Sequence, residues 1–259
     1  MFGMPTMLEL NTVRDHIALC AELGLSFVEL NTNFPNQQLH LLDPVALKEQ
    51  AEEAGIFCTI HLNDELYVAD FNPHVARGYR DSVLETIQFA REANIPLLNM
   101  HLAYGAKYTM PHRKVFFYEA YEERYLEEIT AFRDLCTGQI GNFPMRICVE
   151  NTNGYLPFQR KALEILLESP IFGLTFDIGH NRCAADADEA WILEHSNRLH
   201  HMHLHDVRGQ QDHLPFGNGD LDLKPYLDLA QDRTAVIEVK TMDGLRKSVA
   251  WLNMRNIAK

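Results

Sequence analysis

The sequence predicts one α/β domain, a single (β/α)8 or TIM barrel over residues 1–259, from three observations: chain length, an alternating pattern and an unbroken composition. A chain of 259 residues has the size of one eight-stranded parallel barrel. Short β-branched or aromatic runs alternate with longer amphipathic stretches, as repeated βα units require. No segment is rich enough in Pro, Gly or Ser to link two domains. An open doubly wound sheet is the alternative, but no GxGxxG follows the first strand.

Eight short runs are predicted to be the strands because apolar, β-branched and aromatic residues dominate them. In chain order they are Met1–Leu8, Ser26–Asn31, Ile56–Leu62, Leu97–Leu102, Arg146–Glu150, Leu174–Asp177, His200–His205 and Ala235–Val239. The longest inserts follow strand four (104–117) and strand seven (206–223). Both lie on the face where barrel enzymes build their active sites.

Helices are predicted between these strands, where start and stop residues frame an amphipathic pattern. Asp43 followed by Pro44 is typical of an N-cap and a first helical residue, and Gly55 suits the C-terminal cap of that helix. Gly24 ends the first helix in the same way. Further helices are expected over about 74–93, 118–137, 158–169, 186–196 and 243–253.

The composition predicts a cytoplasmic protein that acts on a small molecule. The net charge of −13 and the scattered lysines and arginines argue against a nucleic-acid partner. No apolar run is long enough to cross a bilayer, and the N-terminal residues lack a signal-peptide pattern. The five cysteines form no CxxC pair, so we expect buried free thiols. A monomer and a homo-oligomer are both compatible with the sequence.

Six successive strands are predicted to present an imidazole or a carboxylate near the barrel mouth. These residues are His61, His101, Glu150, Asp177, His203 and Glu238. Three carboxylates at one mouth repel each other unless their pKa values rise or a cation lies between them. Mixed histidine and carboxylate ligands suit Zn2+, Mn2+, Co2+ or Fe2+ better than calcium. The sequence therefore predicts a metal site of Glu150, Asp177, His203 and Glu238, with His61 and His101 beside Glu150 on a second metal or on substrate.

Two local motifs add candidates. In Asp177-Ile-Gly-His180 the glycine allows a tight turn, so that both polar side chains can enter one cavity. In His203-Leu-His205-Asp206, alternation puts the two histidines on one face of a strand, one as a ligand and the other as a wall residue. The Gly-rich stretch 212–220, which contains His213, is able to fold over the site. Glu29, at the end of strand two, is either a support of the site or an ordinary salt-bridge partner.

The order of these motifs resembles the xylose-isomerase-like TIM-barrel superfamily over nearly the whole chain. The motifs that carry the resemblance are Glu150-Asn-Thr, Asp177-Ile-Gly-His180, His203-Leu-His-Asp206, His213 with Gly217-Asn-Gly219, and Ile-Glu238. The superfamily includes sugar-phosphate isomerases and epimerases, ketose 3-epimerases and the endonuclease IV family. The resemblance is specific for the superfamily and does not select one member.

In the isomerase and epimerase branch, the resemblance implies one metal at the positions of Glu150, Asp177, His203 and Glu238. It also implies that the residue at the position of His180 touches a substrate oxygen. In the endonuclease IV branch it implies three zinc ions, with His61, His101, His180 and His213 as additional ligands. Gln211 stands where that branch has an aspartate, which weakens the case for a third metal.

The expected function is isomerisation or epimerisation of a small sugar or sugar phosphate through a cis-enediolate, with Mn2+, Zn2+, Co2+ or Mg2+. Glu150 and Glu238 are expected to exchange a proton with the substrate on opposite faces. Arg208 is expected to meet a distal anionic group. An endonuclease IV-like phosphodiesterase is the alternative, opposed by the acidic charge. A barrel that binds a metabolite without turnover is a third, disfavoured by the presence of both glutamates.

Overall fold

The computed structural model describes residues 1–255 and contains a closed barrel of eight parallel strands, which confirms the predicted fold class. The strands are β1 Phe2–Pro5, β2 Phe27–Asn31, β3 Phe57–His61, β4 Leu97–His101, β5 Arg146–Glu150, β6 Phe172–Asp177, β7 Leu199–Leu204 and β8 Thr234–Ile237. Each strand pairs with the next, and β8 pairs with β1 to close the barrel. The single-domain boundary of 1–259 stays a prediction, and its last four residues, 256–259, lie outside the described residues.

Ten α-helices surround or cap the barrel within the described residues. They are α1 Val13–Glu22, α2 Pro44–Glu53, α3 Pro73–Glu92, α4 Phe117–Ala120, α5 Glu122–Ile140, α6 Pro157–Leu167, α7 Ile178–Cys183, α8 Glu189–Glu194, α9 Lys224–Leu229 and α10 Met242–Met254. The predicted N-cap Asp43 accepts hydrogen bonds from the backbone of Val45 and Ala46. Among the helices of residues 1–255, none is both long and apolar enough to span a membrane.

Two predicted helices were wrong in extent. The stretch predicted as 118–137 is two helices, α4 and α5, because Tyr121 leaves the helical conformation at φ −124° and ψ 46°. The stretch predicted as 186–196 shortens to Glu189–Glu194. In addition α7, which was not predicted, begins directly after β6 because the Asp177 side chain accepts a hydrogen bond from the His180 backbone and caps the helix. One carboxylate thus serves both as a cap and as a candidate ligand.

Five strand ends also differ from the prediction, and β3 and β4 each end one residue early, at His61 and His101. β1 stops at Pro5, well before Leu8, and β7 stops at Leu204, so His205 follows the strand. β8 stops at Ile237, so Glu238 follows it too, yet the Glu238 backbone N–H still donates to the Leu204 carbonyl at 2.9 Å. Each of the two long inserts forms a short antiparallel hairpin that was not predicted, over 107–116 and over 206–214.

The apolar core lies mainly between the strands and the helices. The five cysteines are free, and four of them are buried, as predicted. Inside the barrel, one layer below the mouth, the side chains are largely polar. This layer includes Glu29, Thr59, Asn99, Thr175 and His201. Barrel interiors are usually filled with branched apolar side chains, so a buried polar layer directly beneath the mouth indicates that it supports polar groups above it.

Candidate active site and metal centre

The six candidate residues at the strand ends converge on the C-terminal mouth of the barrel. Glu150 ends β5, Asp177 ends β6, and Glu238 follows β8, while His203 lies in β7 between the last two. One ligand atom from each of these four residues lies within 4.8 Å of the others. Parallel strands end at the same rim, so residues far apart in the chain form one compact cluster of three carboxylates and one imidazole.

His203 lies at the centre of this cluster. Its Nδ1 atom is 3.1 Å from Glu238 Oε2, 3.3 Å from Glu150 Oε2 and 3.9 Å from Asp177 Oδ2. Both His203 Nδ1 and Glu238 Oε2 are buried and have no hydrogen-bond partner among the described residues. Buried polar atoms that face each other without a partner are costly, and a cation shared by these ligands would satisfy them.

His61 and His101 form a second group around Glu150. Their Nε2 atoms lie 3.4 Å and 3.3 Å from Glu150 Oε2. His61 Nδ1 lies 2.7 Å from the carbonyl of Leu62, which fixes the ring proton on Nδ1 in the neutral tautomer. The Nε2 lone pair then faces a carboxylate, an arrangement that favours either a second proton or a metal ion between the two atoms.

A third group of histidines, His180, His205 and His213, lies on the other side of Asp177. The His213 backbone N–H donates to His205 Nδ1 at 2.8 Å, so a neutral His205 carries its proton on Nε2. That Nε2 atom is 3.1 Å from both oxygens of Asp177. His205 therefore donates to Asp177 and orients it, which leaves this group short of a ligand for a third metal.

His180 joins the Glu150 and Asp177 carboxylates. Its Nδ1 atom lies 3.4 Å from Glu150 Oε1 and 3.6 Å from Asp177 Oδ2, and it is buried without a hydrogen-bond partner among residues 1–255. The His213 ring turns its Nδ1 to the Glu238 carbonyl at 3.0 Å, so its Nε2 keeps a lone pair. Both rings can bind a substrate oxygen or a cation.

The electrostatics of the cluster follow from burial among opposite charges. Burial alone would raise the pKa of Glu150, but the charges of His203 and His101 outweigh it and hold that pKa well below its usual range. Burial alone would lower the pKa of His61, yet the hydrogen bond and charge of Glu150 raise it to about 9. Burial is likewise outweighed at His180, where Asp177 and Glu150 raise the pKa to about 10. Without a metal, imidazolium protons therefore balance the carboxylates; a divalent cation would displace them.

Several residues that hold the ligands in place were missed from the sequence. The Asn99 amide donates to Glu150 Oε2 at 2.5 Å and accepts from the Thr175 hydroxyl at 2.6 Å. The Asn151 side chain bonds the backbone N–H and carbonyl of Asp177 at 2.8 and 2.9 Å. The signal was present for Asn99 and Thr175, because each precedes a mouth residue by two positions in its strand and therefore faces the barrel interior.

A lysine side chain, that of Lys240, contacts a carboxylate of the site, and this residue was also missed from the sequence. Its Nζ atom lies 2.6 Å from Glu238 Oε1. Arg208, the predicted anion contact, has a side chain that is 64% exposed. Arg208 donates to the Asn218 carbonyl at 2.6 Å and lies 3.9 Å from Asp220, so its recorded contacts are within its own loop.

The loop 212–220 is held by the buried carboxylate of Asp206. This carboxylate accepts hydrogen bonds from the backbone N–H groups of Gly217, Gly219 and Leu221 at 2.8–3.1 Å. A Cβ atom at Gly219 would lie 2.2 Å from Asp206 Oδ1, so the loop can approach the carboxylate only with glycine there. The Gly-rich motif thus fixes the loop that carries His213.

Comparisons with known proteins agree with this architecture. The family model described as "Xylose isomerase-like TIM barrel" matches residues 17–254. No curated protein sequence matches the chain. A solved structure of a D-tagatose 3-epimerase-like protein superposes with a TM-score of 0.79 at 20% identity, covering 98% of this chain and 96% of that one.

Two further solved structures are similar over their whole length. An IOLI protein with a bound zinc atom has a TM-score of 0.75 at 13% identity, covering 99% of this chain and 97% of that one. D-psicose 3-epimerase with D-tagatose, from Clostridium cellulolyticum H10, has a TM-score of 0.74 at 13% identity, covering 100% and 99%. At these identities the superpositions establish a shared fold.

Proposed function

Because the chain belongs to the xylose isomerase-like TIM-barrel family, we propose that it is a metal-dependent isomerase or epimerase of a small sugar or sugar phosphate. The observation that carries the proposal is the pair Glu150 and Glu238, whose Oε2 atoms lie 3.3 and 3.1 Å from the same nitrogen of His203. Two carboxylates that approach one ligand atom from different strands can exchange protons with a substrate held between them. The bound sugar and the epimerase names among the similar structures support the substrate class.

In this proposal Glu150, Asp177, His203 and Glu238 hold one divalent cation, Mn2+, Zn2+, Co2+ or Mg2+. The cation supplies electrophilic stabilisation of negative charge on adjacent substrate oxygens. The donor set of three carboxylates and one imidazole, with orphaned atoms turned inward, fits such an ion. The zinc in the similar IOLI structure supports this assignment. His61 and His101 bind either a second cation or substrate oxygens.

The proton steps then fall to the two glutamates. Glu238 takes the proton from the carbon beside the carbonyl, which gives a cis-enediolate. Glu150 returns a proton to the opposite face, after receiving that proton from the imidazolium of His180, whose Nδ1 atom lies 3.4 Å from Glu150 Oε1. Lys240 keeps one oxygen of Glu238 paired at 2.6 Å. Burial alone would raise the pKa of Glu238, but the charges of His203 and Lys240 hold it well below its usual range, so this carboxylate starts ionised as a base. His180 positions a substrate hydroxyl.

A second candidate is an endonuclease IV-like phosphodiesterase, which the His61, His101 and Glu150 group favours because it can hold a second cation. The net charge of −13 opposes it. Gln211 opposes it further, because it stands where that branch has an aspartate ligand. A barrel that only binds a metabolite is the remaining alternative, and it predicts binding without proton exchange.

The deciding experiment incubates the protein in D2O with free and phosphorylated ketoses, with each of the four cations in turn and again after chelation. We expect deuterium to enter the carbon beside the carbonyl only in the presence of metal. Glu150→Gln and Glu238→Gln should each abolish this exchange. Glu164→Gln, at an exposed glutamate on α6, is the matched control and should exchange normally. Nicking of an abasic DNA duplex without exchange into any sugar would overturn the proposal.

A further inference from the structure

Glu29 is a fourth buried carboxylate below the site, and the proposed chemistry makes no use of it. It lies on β2, faces the barrel interior and is only 3% exposed. An isolated carboxylate costs several kcal/mol to bury, so its partners identify its role.

Two histidines of β7 bind the two oxygens of Glu29. Oε1 lies 2.9 Å from His203 Nε2, and Oε2 lies 3.1 Å from His201 Nε2. The Thr59 hydroxyl donates to Oε2 at 3.3 Å. His203 Nε2 is buried and has no aligned hydrogen-bond partner among residues 1–255, so the 2.9 Å approach is an ion-pair contact. The carboxylate therefore lies against the side of His203 that faces away from Glu150 and Glu238.

This group is not itself suited to a metal, although its three ligand atoms are close together. His201 Nδ1 is 2.6 Å from the Thr234 hydroxyl, and its Nε2 faces Glu29. The Glu29 carboxylate can only accept a hydrogen bond, so the single proton of the neutral ring is on Nε2 and points at this carboxylate. Both nitrogens of His201 are engaged, so the ring holds Glu29 in place and offers no lone pair to an ion.

We propose that Glu29 is a positioning residue that acts through His203 on the metal site. A neutral imidazole has one proton and one lone pair. A carboxylate at Nε2 selects the tautomer whose proton is on Nε2, so that the Nδ1 lone pair faces Glu150 and Glu238. The carboxylate also makes Nδ1 a stronger electron-pair donor to a metal ion, and it fixes the orientation of the ring. His201 and Thr234 in turn fix Glu29. The inference rests on the proposed metal site.

The test is titration of the metal-free protein with Mn2+ alone, with free Mn2+ measured by electron paramagnetic resonance. Glu29→Gln keeps the shape of the side chain and removes its charge, and we expect Mn2+ binding about 10–100-fold weaker than in the wild type. Thr86→Val, the matched control, removes a buried hydroxyl on α3 that donates to the Ser82 carbonyl of its own helix, and it should bind Mn2+ like the wild type. Urea unfolding of the metal-free variants separates lost affinity from lost stability.

The outcomes discriminate among the explanations. A folded Glu29→Gln variant with wild-type Mn2+ affinity overturns the positioning role. Equal losses of affinity in Glu29→Gln and Thr86→Val also overturn it, because the effect would then come from a general loss of packing. If Glu29→Gln does not fold, Thr234→Val loosens His201 instead, and an unchanged affinity in that variant overturns the inference. A wild-type protein that binds none of Mn2+, Zn2+, Co2+ and Mg2+ overturns the proposed metal site, and this inference with it.

Discussion

Replacing Gly179 by alanine tests how tightly the ring of His205 holds Asp177 in the site. Gly179 is the second residue of α7, directly below the ring of His205. An alanine Cβ would lie 1.9 Å from His205 Cε1, whereas ordinary contacts begin near 3.4 Å. The ring is completely buried, so it must move by about 1.5 Å to relieve the overlap. We therefore expect His205 to leave Asp177.

The magnitude follows from the hydrogen bonds that this movement breaks. The contact of His205 Nε2 with Asp177 at 3.1 Å is charge-assisted and contributes about 1.5–3 kcal/mol. The bond from the His213 backbone to His205 Nδ1 contributes about 1 kcal/mol. Alanine returns up to about 1 kcal/mol of helix propensity. The free energy of unfolding should fall by about 2–3 kcal/mol, and the Tm by roughly 5–10 °C.

The assay is urea unfolding of Gly179→Ala beside a matched control, Gly78→Ala. Gly78 lies inside helix α3, and a Cβ there would meet no atom within 4 Å. The control should therefore gain up to about 1 kcal/mol from the alanine. Gly179→Ala should also bind Mn2+ more weakly, because Asp177 loses the group that orients it. A Gly179→Ala variant as stable as the control would refute the packing argument.

Two further predictions concern charge. Burial, together with nearby cations such as Arg146, lowers the pKa of His200 to about 4. Between pH 6.5 and 4 the unfolded chain binds a proton that the native protein does not. The stability present above pH 6.5 is therefore lost as the pH falls, by about 1 kcal/mol after solvent screening. His200→Asn should flatten this dependence of the free energy of unfolding on pH, measured by urea unfolding at pH 4.5–7. In steady-state kinetics, Arg208→Ala should change kcat/KM less than about threefold, since the side chain is exposed, and Lys240→Met should lower it at least about tenfold, since Lys240 contacts Glu238. The reverse order would restore Arg208 as the substrate contact.

The barrel and the residues at its mouth were predictable from the amino-acid pattern alone. The alternation of side chains along a strand fixes which residues face inward, and parallel strands end at one rim. Polar residues at the ends of six apolar runs therefore had to meet, and Glu150, Asp177, His203 and Glu238 do so within 4.8 Å. These inferences needed only local periodicity.

The partner of each of these groups depends on contacts between segments that are distant in the chain. Glu29 lies 172 positions before His201, and the pairing of strands across the barrel makes them neighbours. The amino-acid pattern did not decide whether His205 is a metal ligand or a wall residue. In the structure, a backbone N–H of the following hairpin donates to His205 Nδ1, so the ring proton is on Nε2 and points toward Asp177. Tautomers and ion pairs depend on differences of a few tenths of an ångström in the contact distances between distant segments. Local sequence periodicity does not contain those distances.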